Sequence, residues 1–280
     1  MKASEVKNSF LVLVFILITI ATYYILIYQQ ETLKTNKKLF LNSVFQEAQT
    51  HFEYFKVFRA WNSQHNGVYV KQNEDIKPNK YLKNNHIFTK DNEVLIKINP
   101  AWMTRQISTM MNKVSKYNYK ITSLKPLNPD NKAIGFEEKA LIYLDENRDK
   151  NYYTKIDEEN EKFNFMGKLE VKQSCLQCHA AQGYELGQIR GGIRVTIPLD
   201  VYKQNMATLE KAYKFQVFLV LFFSISIFLI ISYVVNKIYK NEVYLRRLKN
   251  EYKYLYDRYD YAVQGSKLDR KSTRLNSSHY

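Results

Sequence analysis

The chain has 280 residues and a formal net charge of +15, with acidic residues interspersed among the basic ones along most of its length. It has no basic arm, so the charge indicates a lysine-rich solvated surface, and we expect no nucleic-acid partner. Both cysteines of the chain lie within one short stretch, at positions 175 and 178.

The N-terminal segment predicts a membrane anchor. After residues 1–9, which we expect to be cytoplasmic, Phe10–Tyr28 is an uncharged apolar run. At about 1.5 Å per residue this run spans roughly 30 Å, the thickness of the hydrocarbon core. A cleaved signal peptide is the alternative, but the apolar stretch is too long and no small-residue cleavage site precedes the following helix. We therefore predict an uncleaved transmembrane helix over 10–28.

Residues 29–214 are predicted to form one extracytoplasmic domain. Its first element is a helix from Glu31 to about Gln64, which we expect to continue out of the membrane span. Apolar residues and one histidine recur on one face of this helix at steps of three and four. They are Val44, Ala48, His51, Phe55 and Phe58.

The remaining domain gives weaker signals. We assign residues 71–90 to a loop, Phe136–Leu144 to either helix or strand, and no element to Lys150–Asn164. Asn99–Pro100 indicates the start of a helix that runs to about Lys116, because proline is tolerated in a first helical turn. The predicted strands are Val68–Val70, a weak Glu93–Ile98 and Ile193–Leu199. Asp200 is predicted to cap the last helix.

Phe215–Val235 is a second uncharged apolar run and predicts a transmembrane helix over 215–235. With two spans the termini share one side of the membrane and residues 29–214 occupy the other. Basic residues soon after the second span favour a cytoplasmic C-terminal side. They are Lys237, Lys240, Arg246, Arg247 and Lys249.

Residues 236–268 predict a short cytoplasmic coiled coil, with Tyr256–Leu268 similar to the opening of a PAS domain. The alternative is an amphipathic helix on the membrane surface. A homodimer through the coiled coil and the transmembrane helices is expected, since small polar residues in the second span allow close approach. The seam consists of Ile238, Leu245, Leu248, Tyr252, Leu255 and Tyr259.

Residues 269–280 are excluded from the fold prediction. The stretch DRKSTRLNSSH matches the translation of a common sequencing-library adapter, so we interpret it as an artefact. We expect the natural chain to continue past Leu268 into an output module. No enzymatic activity is expected of the present fragment itself.

The most specific motif is CLQCH, Cys175–His179. Cys-x-x-Cys-His is the attachment signature of haem c: two thiols form thioethers with the porphyrin, and the adjacent histidine ligates the iron. A zinc site would need a fourth ligand, and no second Cys or His pair lies nearby. A thioredoxin-like redox motif should open a helix after a strand, whereas these cysteines are predicted to follow a charged loop. Five of the eight glycines flank the motif, which favours a loop wrapped around a bulky group.

His179 is therefore the predicted proximal iron ligand. For the sixth position the candidates are His51, His65 and Met103, each of which has ordinary core packing as its alternative. An iron with an open position would suit binding of a diatomic gas, and a filled position would suit redox sensing.

Six stretches stand out in chain order: RAWNSQHNGVYV (59–70), NPAWMTRQIS (99–108), SLKPLNP (123–129), FEEKAL (136–141), CLQCH (175–179) and GGIRVTIP (191–198). Together they resemble the Tll-type periplasmic c-type-haem sensory domain family. This resemblance implies an α+β, PAS-like fold around one covalent haem, usually fused to a kinase, a diguanylate cyclase or a chemoreceptor module. It marks Arg59, Trp61 and Arg105 as candidate haem-pocket residues, with core packing and surface ion pairs as the alternatives. Asn66 replaces a second glycine that is common in the family.

These observations predict a bacterial inner-membrane sensor that relays haem redox state or gas binding to its missing output module. The middle domain is expected to be periplasmic, because haem c is attached outside the cytoplasmic membrane. One alternative is a membrane-anchored electron-transfer cytochrome. A second is a haem-free receptor with a Cys175–Cys178 disulfide.

Overall fold

The computed structural model describes residues 3–276, apart from the side chains of Ala3, Cys178 and residues 264–276. The α-helices of this part are α1 Ala3–Gln64, α2 Pro100–Val114, α3 Phe136–Glu146, α4 Gln173–His179 and α5 Asp200–Asn276. The strands are β1 Val68–Lys71, β2 His86–Phe88, β3 Val94–Ile98, β4 Asn118–Thr122, β5 Tyr152–Asp157, β6 Lys162–Glu170 and β7 Ile189–Pro198. Short 3₁₀ helices cover Pro129–Asn131 and Ala180–Gln182.

One of two compact units contains residues 1–32 and 211–280. Its helical segments belong to α1 and α5, which are long and apolar enough to cross a membrane, with a mean hydropathy of 2.8 over their most apolar windows. The Thr22 and Ser224 hydroxyl oxygens lie 2.7 Å apart, and Lys7 Nζ donates to Asn236 Oδ1 at 3.0 Å. The two apolar helices are consistent with membrane anchoring.

The second unit contains residues 33–210 and is built on a four-stranded antiparallel sheet. The strand order is β4-β7-β6-β5. Val195 of β7 is opposite Tyr119 of β4 on one side and Phe165 of β6 on the other. These three side chains are almost fully buried, so the central strands define the core.

Helices cover both faces of this sheet. Phe52 and Phe55 of α1 pack with Phe165 and Val195 on one face, and Leu141 of α3 packs with Met166 on the other. Phe165 and Met166 are consecutive residues of β6, and alternate strand residues point to opposite faces. The unit therefore has three layers: α1, the sheet and α3.

A small antiparallel sheet, ordered β1-β3-β2, follows the end of α1. The turn between α1 and β1 places Asn66 and Gly67 at φ of 55° and 97°. Asparagine tolerates this left-handed region better than most residues, which explains how Asn66 occupies a glycine position. Asn99 caps α2, because its side chain accepts a hydrogen bond from Trp102 N at 2.9 Å.

The structure confirms the mixed helix and sheet class, the helix through Gln64 and the helix start at Asn99–Pro100. It resolves Phe136–Leu144 as helix. The loop prediction for residues 71–90 is wrong at His86–Phe88, which pairs with β3 as an edge strand. Asp200 is the first residue of α5, so it lies in the first turn and does not occupy the predicted cap position.

Candidate functional site

The second unit contains a cavity of about 410 Å³. Its walls come from α1, α2, α4, one edge of the central sheet (the ends of β4 and β6 and the start of β7) and the loops before β2 and after β4. Apolar side chains and arginines share the lining with one carboxylate, Glu170. The lining includes Arg59, Trp102, Arg105, Ile121, Ser123, Leu127, Cys175, Gln177, His179, Gln182, Arg190 and Gly191.

Helix α4 carries the CLQCH motif into the cavity wall. Cys175 and His179 are four residues apart, so they lie one turn apart on the same helical face, and both are half-buried. Cys175 Sγ accepts a hydrogen bond from Lys172 N at 3.3 Å, at the first turn of the helix. The Cys178 side chain lies outside the described residues.

This placement corrects two predictions about the motif. CLQCH is helical rather than part of a flexible loop. Helix α4 begins three residues after β6 ends, so the two cysteines do open a helix after a strand. The motif therefore has the strand-then-helix context of a thioredoxin-like site, contrary to the prediction, and only the chemistry of the whole cavity can separate the redox alternative from haem attachment.

His179 is surrounded by polar groups on one edge of its ring. Its Nδ1 lies 3.1 Å from Gln182 Oε1 and 3.3 Å from Arg190 Nε. Burial lowers the pKa of His179, and the positive charges of Arg190 and Arg59 lower it further. The hydrogen bond with Gln182 has the opposite effect and raises this pKa. A neutral imidazole is the form that can bind a metal.

Three guanidinium groups border the cavity. Arg59 of α1 donates to Thr104 Oγ1 at 3.1 Å and to the carbonyl oxygen of Pro100 at 3.2 Å. Burial lowers the pKa of Arg59 to about 10, so its guanidinium stays protonated at neutral pH. Arg105 lies 3.5 Å from Asp130 Oδ2, whose side chain is mostly exposed. The arrangement favours an anionic ligand.

Arg190 of β7 is the third guanidinium, and it is fixed by several contacts. Its Nη1 donates to Ser123 Oγ at 2.6 Å, and its guanidinium lies over the Tyr184 ring at 4.8 Å. The following residue, Gly191, approaches β4 so closely that a Cβ atom there would lie 2.2 Å from the Thr122 carbonyl oxygen. The tight strand approach therefore holds Arg190 at the cavity.

The structure brings four of the residues singled out from the sequence to this cavity: Arg59, Arg105, Cys175 and His179. Trp61 and His65 are not among its described lining residues. Trp61 is 53% exposed, and its ring lies 4.6 Å from that of His65. His65 Nδ1 is 2.7 Å from the Trp61 carbonyl oxygen.

His51 and Met103 also lie apart from the described lining. His51 packs between Tyr117 and Tyr119, with Nδ1 3.3 Å from the Tyr119 hydroxyl, and burial lowers the pKa of its imidazole. Met103 Sδ lies 3.5 Å from Asn62 Nδ2. The sixth iron ligand stays a prediction.

Sequence reasoning missed Ser123, Gln182 and Arg190. Their positions depend on contacts between distant segments: Ser123 and Arg190 are 67 residues apart. Ser123 begins the SLKPLNP stretch, and Arg190 immediately precedes GGIRVTIP. The position of both residues at the edge of a family motif was therefore the only sequence feature that could have pointed to them. Gln182 carried no signal of its own.

The donor set limits what this cavity can hold. Among the described residues, no group of three or more His, Cys, Asp or Glu side chains is positioned to bind a metal ion. A cavity of this size, with apolar walls and a few convergent polar groups, is typical of a small-molecule or cofactor site. A thiol and an imidazole could attach a metal-bearing cofactor, and the guanidinium groups could bind its anionic substituents.

Comparison with known proteins gives one family and one solved structure. The family model described as Tll0287-like matches residues 36–198. The crystal structure of the cyanobacterial heme-protein Tll0287 is 16% identical in sequence and has a TM-score of 0.39. That similarity covers 56% of this chain and 95% of the cyanobacterial chain. No curated protein sequence matches.

Proposed function

This chain belongs to the Tll0287-like family, and we propose that its second unit binds one covalent haem c and senses a signal for a bacterial membrane signalling protein. The observation that carries the proposal is the convergence of Cys175 and His179 with three arginines on one cavity. Neither a bare zinc site nor a dithiol redox site needs such a cationic, partly apolar chamber.

The residues present fit a haem. The Cys175 and Cys178 thiols would form the thioethers, and the His179 imidazole would ligate the iron. Haem carries two carboxylates, and arginine pairs with carboxylates in bidentate geometry, so Arg59, Arg105 and Arg190 suit them. The lining also offers Trp102, Ile121 and Leu127 as apolar contacts for the porphyrin face.

The protein's own groups would then set the properties of the site. A haem bound at these residues would supply a one-electron redox centre. Burial and the nearby guanidinium charges lower the pKa of His179, which favours the neutral imidazole that can ligate iron. The apolar side chains of the lining would limit the access of water to the site. We propose that the signal is a redox partner or a diatomic gas, with His51, His65, Met103 or no side chain at the sixth position.

We also propose how the signal leaves the site. Arg59 lies on α1, and Arg190 lies on β7, which ends at Pro198 two residues before α5 begins. Both elements are connected along the chain to an apolar run: α1 contains residues 10–28, and β7 is followed by α5, which contains residues 215–235. A change in the haem pocket would move these elements and then the coiled coil of a homodimer. The periplasmic location, the PAS-like character and a kinase or cyclase output remain part of this proposal.

The haem proposal is tested with the full chain produced with a c-type cytochrome maturation system and purified from membranes in detergent. We expect the wild type to give a pyridine haemochrome spectrum of haem c at one haem per chain. The Cys175→Ala/Cys178→Ala variant should lose covalent haem, whereas the matched control Ser174→Ala should keep it. Colourless wild-type protein, or a double variant with an unchanged spectrum, would refute the proposal.

A further inference from the structure

His179 Nδ1 has two neighbours that require opposite protonation states. Gln182 Oε1, at 3.1 Å, can only accept a hydrogen bond, and Arg190 Nε, at 3.3 Å, can only donate one. A neutral imidazole carries one N–H, so Nδ1 satisfies only one of these neighbours at a time. The choice decides which ring nitrogen keeps a free lone pair.

The two choices have different consequences for ligation. Donation from Arg190 needs a bare Nδ1, which puts the proton on Nε2 and leaves that nitrogen unable to bind iron. Donation from Nδ1–H to Gln182 leaves the Nε2 lone pair free. Histidine ligands of metals almost always donate their other ring N–H to a fixed acceptor.

Arg190 does not depend on His179 for its position. Ser123 Oγ and the Tyr184 ring hold its guanidinium, and its Nη2 lies 3.4 Å from Gln182 Oε1. Because that Nη2–H group donates to Oε1, it turns the amide oxygen of Gln182, rather than the amide NH₂, toward His179. Arg190 therefore orients the acceptor even after its own contact with Nδ1 is lost.

We infer that Gln182 is a positioning residue that holds the Nδ1–H tautomer of His179 and makes Nε2 the iron ligand, an inference that rests on the proposed haem function. An acceptor at Nδ1–H raises the basicity of the ligating nitrogen. A more basic ligand favours oxidised iron, so the strength of the acceptor at position 182 sets the midpoint potential.

The test is a redox titration of the full, haem-loaded protein in detergent. Gln182→Leu removes the acceptor and should raise the midpoint potential, and Gln182→Glu strengthens it and should lower the potential. We expect each variant to change the ratio of the affinities of His179 for oxidised and reduced iron about tenfold. This corresponds to a shift of the midpoint potential of about 59 mV for one electron. Gln177→Leu and Gln177→Glu are matched controls, because Gln177 also lines the cavity but its amide is not hydrogen-bonded to His179.

Opposite shifts at position 182, each larger than the shift of its position-177 control, support the inference. Shifts of the same sign, or shifts no larger than those of the controls, overturn it. If Gln182→Leu does not acquire haem, the comparison between the midpoint potentials of Gln182→Glu and Gln177→Glu decides the question alone. A wild type without covalent haem instead defeats the proposed function, so the two failures are distinguishable.

Discussion

Glu137 is a buried carboxylate that joins α3 to two strands of the sheet. Its side chain is 1% exposed, and it lies 2.8 Å from Lys120 Nζ of β4 and 3.0 Å from Arg194 Nη1 of β7. Thr122 Oγ1 also donates to it at 3.1 Å. The carboxylate therefore balances two cations on the face of the sheet opposite α1.

We predict that Glu137→Gln lowers the free energy of unfolding by about 2–3 kcal/mol. Breaking a fully buried ion pair costs ~3–5 kcal/mol of stability. The expected loss is smaller here because the side chains of Lys120 and Arg194 are 27% and 25% exposed. Denaturant unfolding in detergent measures it, with the exposed neighbour Glu138→Gln as control. Equal stability of the two variants would show that the buried ion pairs contribute nothing.

Tyr117 gives a pH-dependent prediction. Its hydroxyl donates to Glu47, and this hydrogen bond, together with burial, raises the pKa of Tyr117 to about 12. An unfolded tyrosine titrates near ~10. The folded state therefore holds the proton more tightly, and its stability should be constant below about pH 10 and fall as the pH rises toward 12.

Unfolding free energies of wild type and Glu47→Gln, measured between about pH 9 and pH 11.5, check this expectation. The variant should lose less stability over that interval, because its tyrosine keeps a pKa closer to the usual value. Glu53→Gln on the same helix, where Glu53 pairs with Lys56, is the control. Parallel curves for wild type and Glu47→Gln would contradict the assignment.

The sequence was informative for site residues that are adjacent in the chain and uninformative for those assembled by the fold. Cys175, Cys178 and His179 could be predicted as haem-attachment residues, because the attachment chemistry of haem c imposes a local spacing. Arg190 and Gln182 were missed because only the folded chain brings them next to His179, and Arg190 next to the distant Ser123. His51 satisfied the periodicity of an apolar helical face, yet the structure partners it with Tyr119.

At the scale of elements, α1 docks on the sheet through a close contact. A Cβ atom added to Gly167 of β6 would lie 2.3 Å from the Phe52 ring of α1. Gly167→Ala should therefore force the helix or the ring aside and destabilise the unit by about 1–3 kcal/mol.

A double-mutant cycle measures this contact. Phe52→Leu removes the ring atoms that would clash, so Gly167→Ala should cost less in the Phe52→Leu background than in the wild type. Denaturant unfolding of the wild type, the two single variants and the double variant gives the coupling free energy between the two positions. Additive effects would mean that α1 does not rest on Gly167.

Helices were more predictable than strands here because helical periodicity and capping residues act locally. The β5–β6 hairpin received no assignment, since residues 150–164 are charged and show no clear periodicity. Its turn signals are the Asn160 N–H bond to Asp157 Oδ1 at 3.1 Å and Glu161 at a φ of 53°. Strand β4 is short and mixed in polarity, and only its pairing with β7 makes Tyr119 a core residue.

For the whole molecule, the proposed relay predicts a change in the part of α5 that follows the second apolar run and that we predict to be cytoplasmic. If the predicted seam forms a homodimer, Leu255→Cys should cross-link between copies through a bis-maleimide more than Lys253→Cys. The native cysteines would not react, because both would be thioether-bonded. Chemical reduction of the haem in reconstituted vesicles should change the yield at Leu255→Cys. An equal cross-linking yield at both positions would contradict the predicted seam. A yield at Leu255→Cys that does not change when the haem is reduced would contradict the proposed relay.

The covalent attachment of haem is the central claim, and the mass of one peptide tests it most directly. Trypsin cleavage after Lys172 and Arg190 releases Gln173–Arg190, which contains both cysteines and His179. The account predicts that this peptide, from fully matured protein, carries the added mass of one haem. A peptide of unmodified mass, or one lighter by the two hydrogens of a Cys175–Cys178 disulfide, would contradict it.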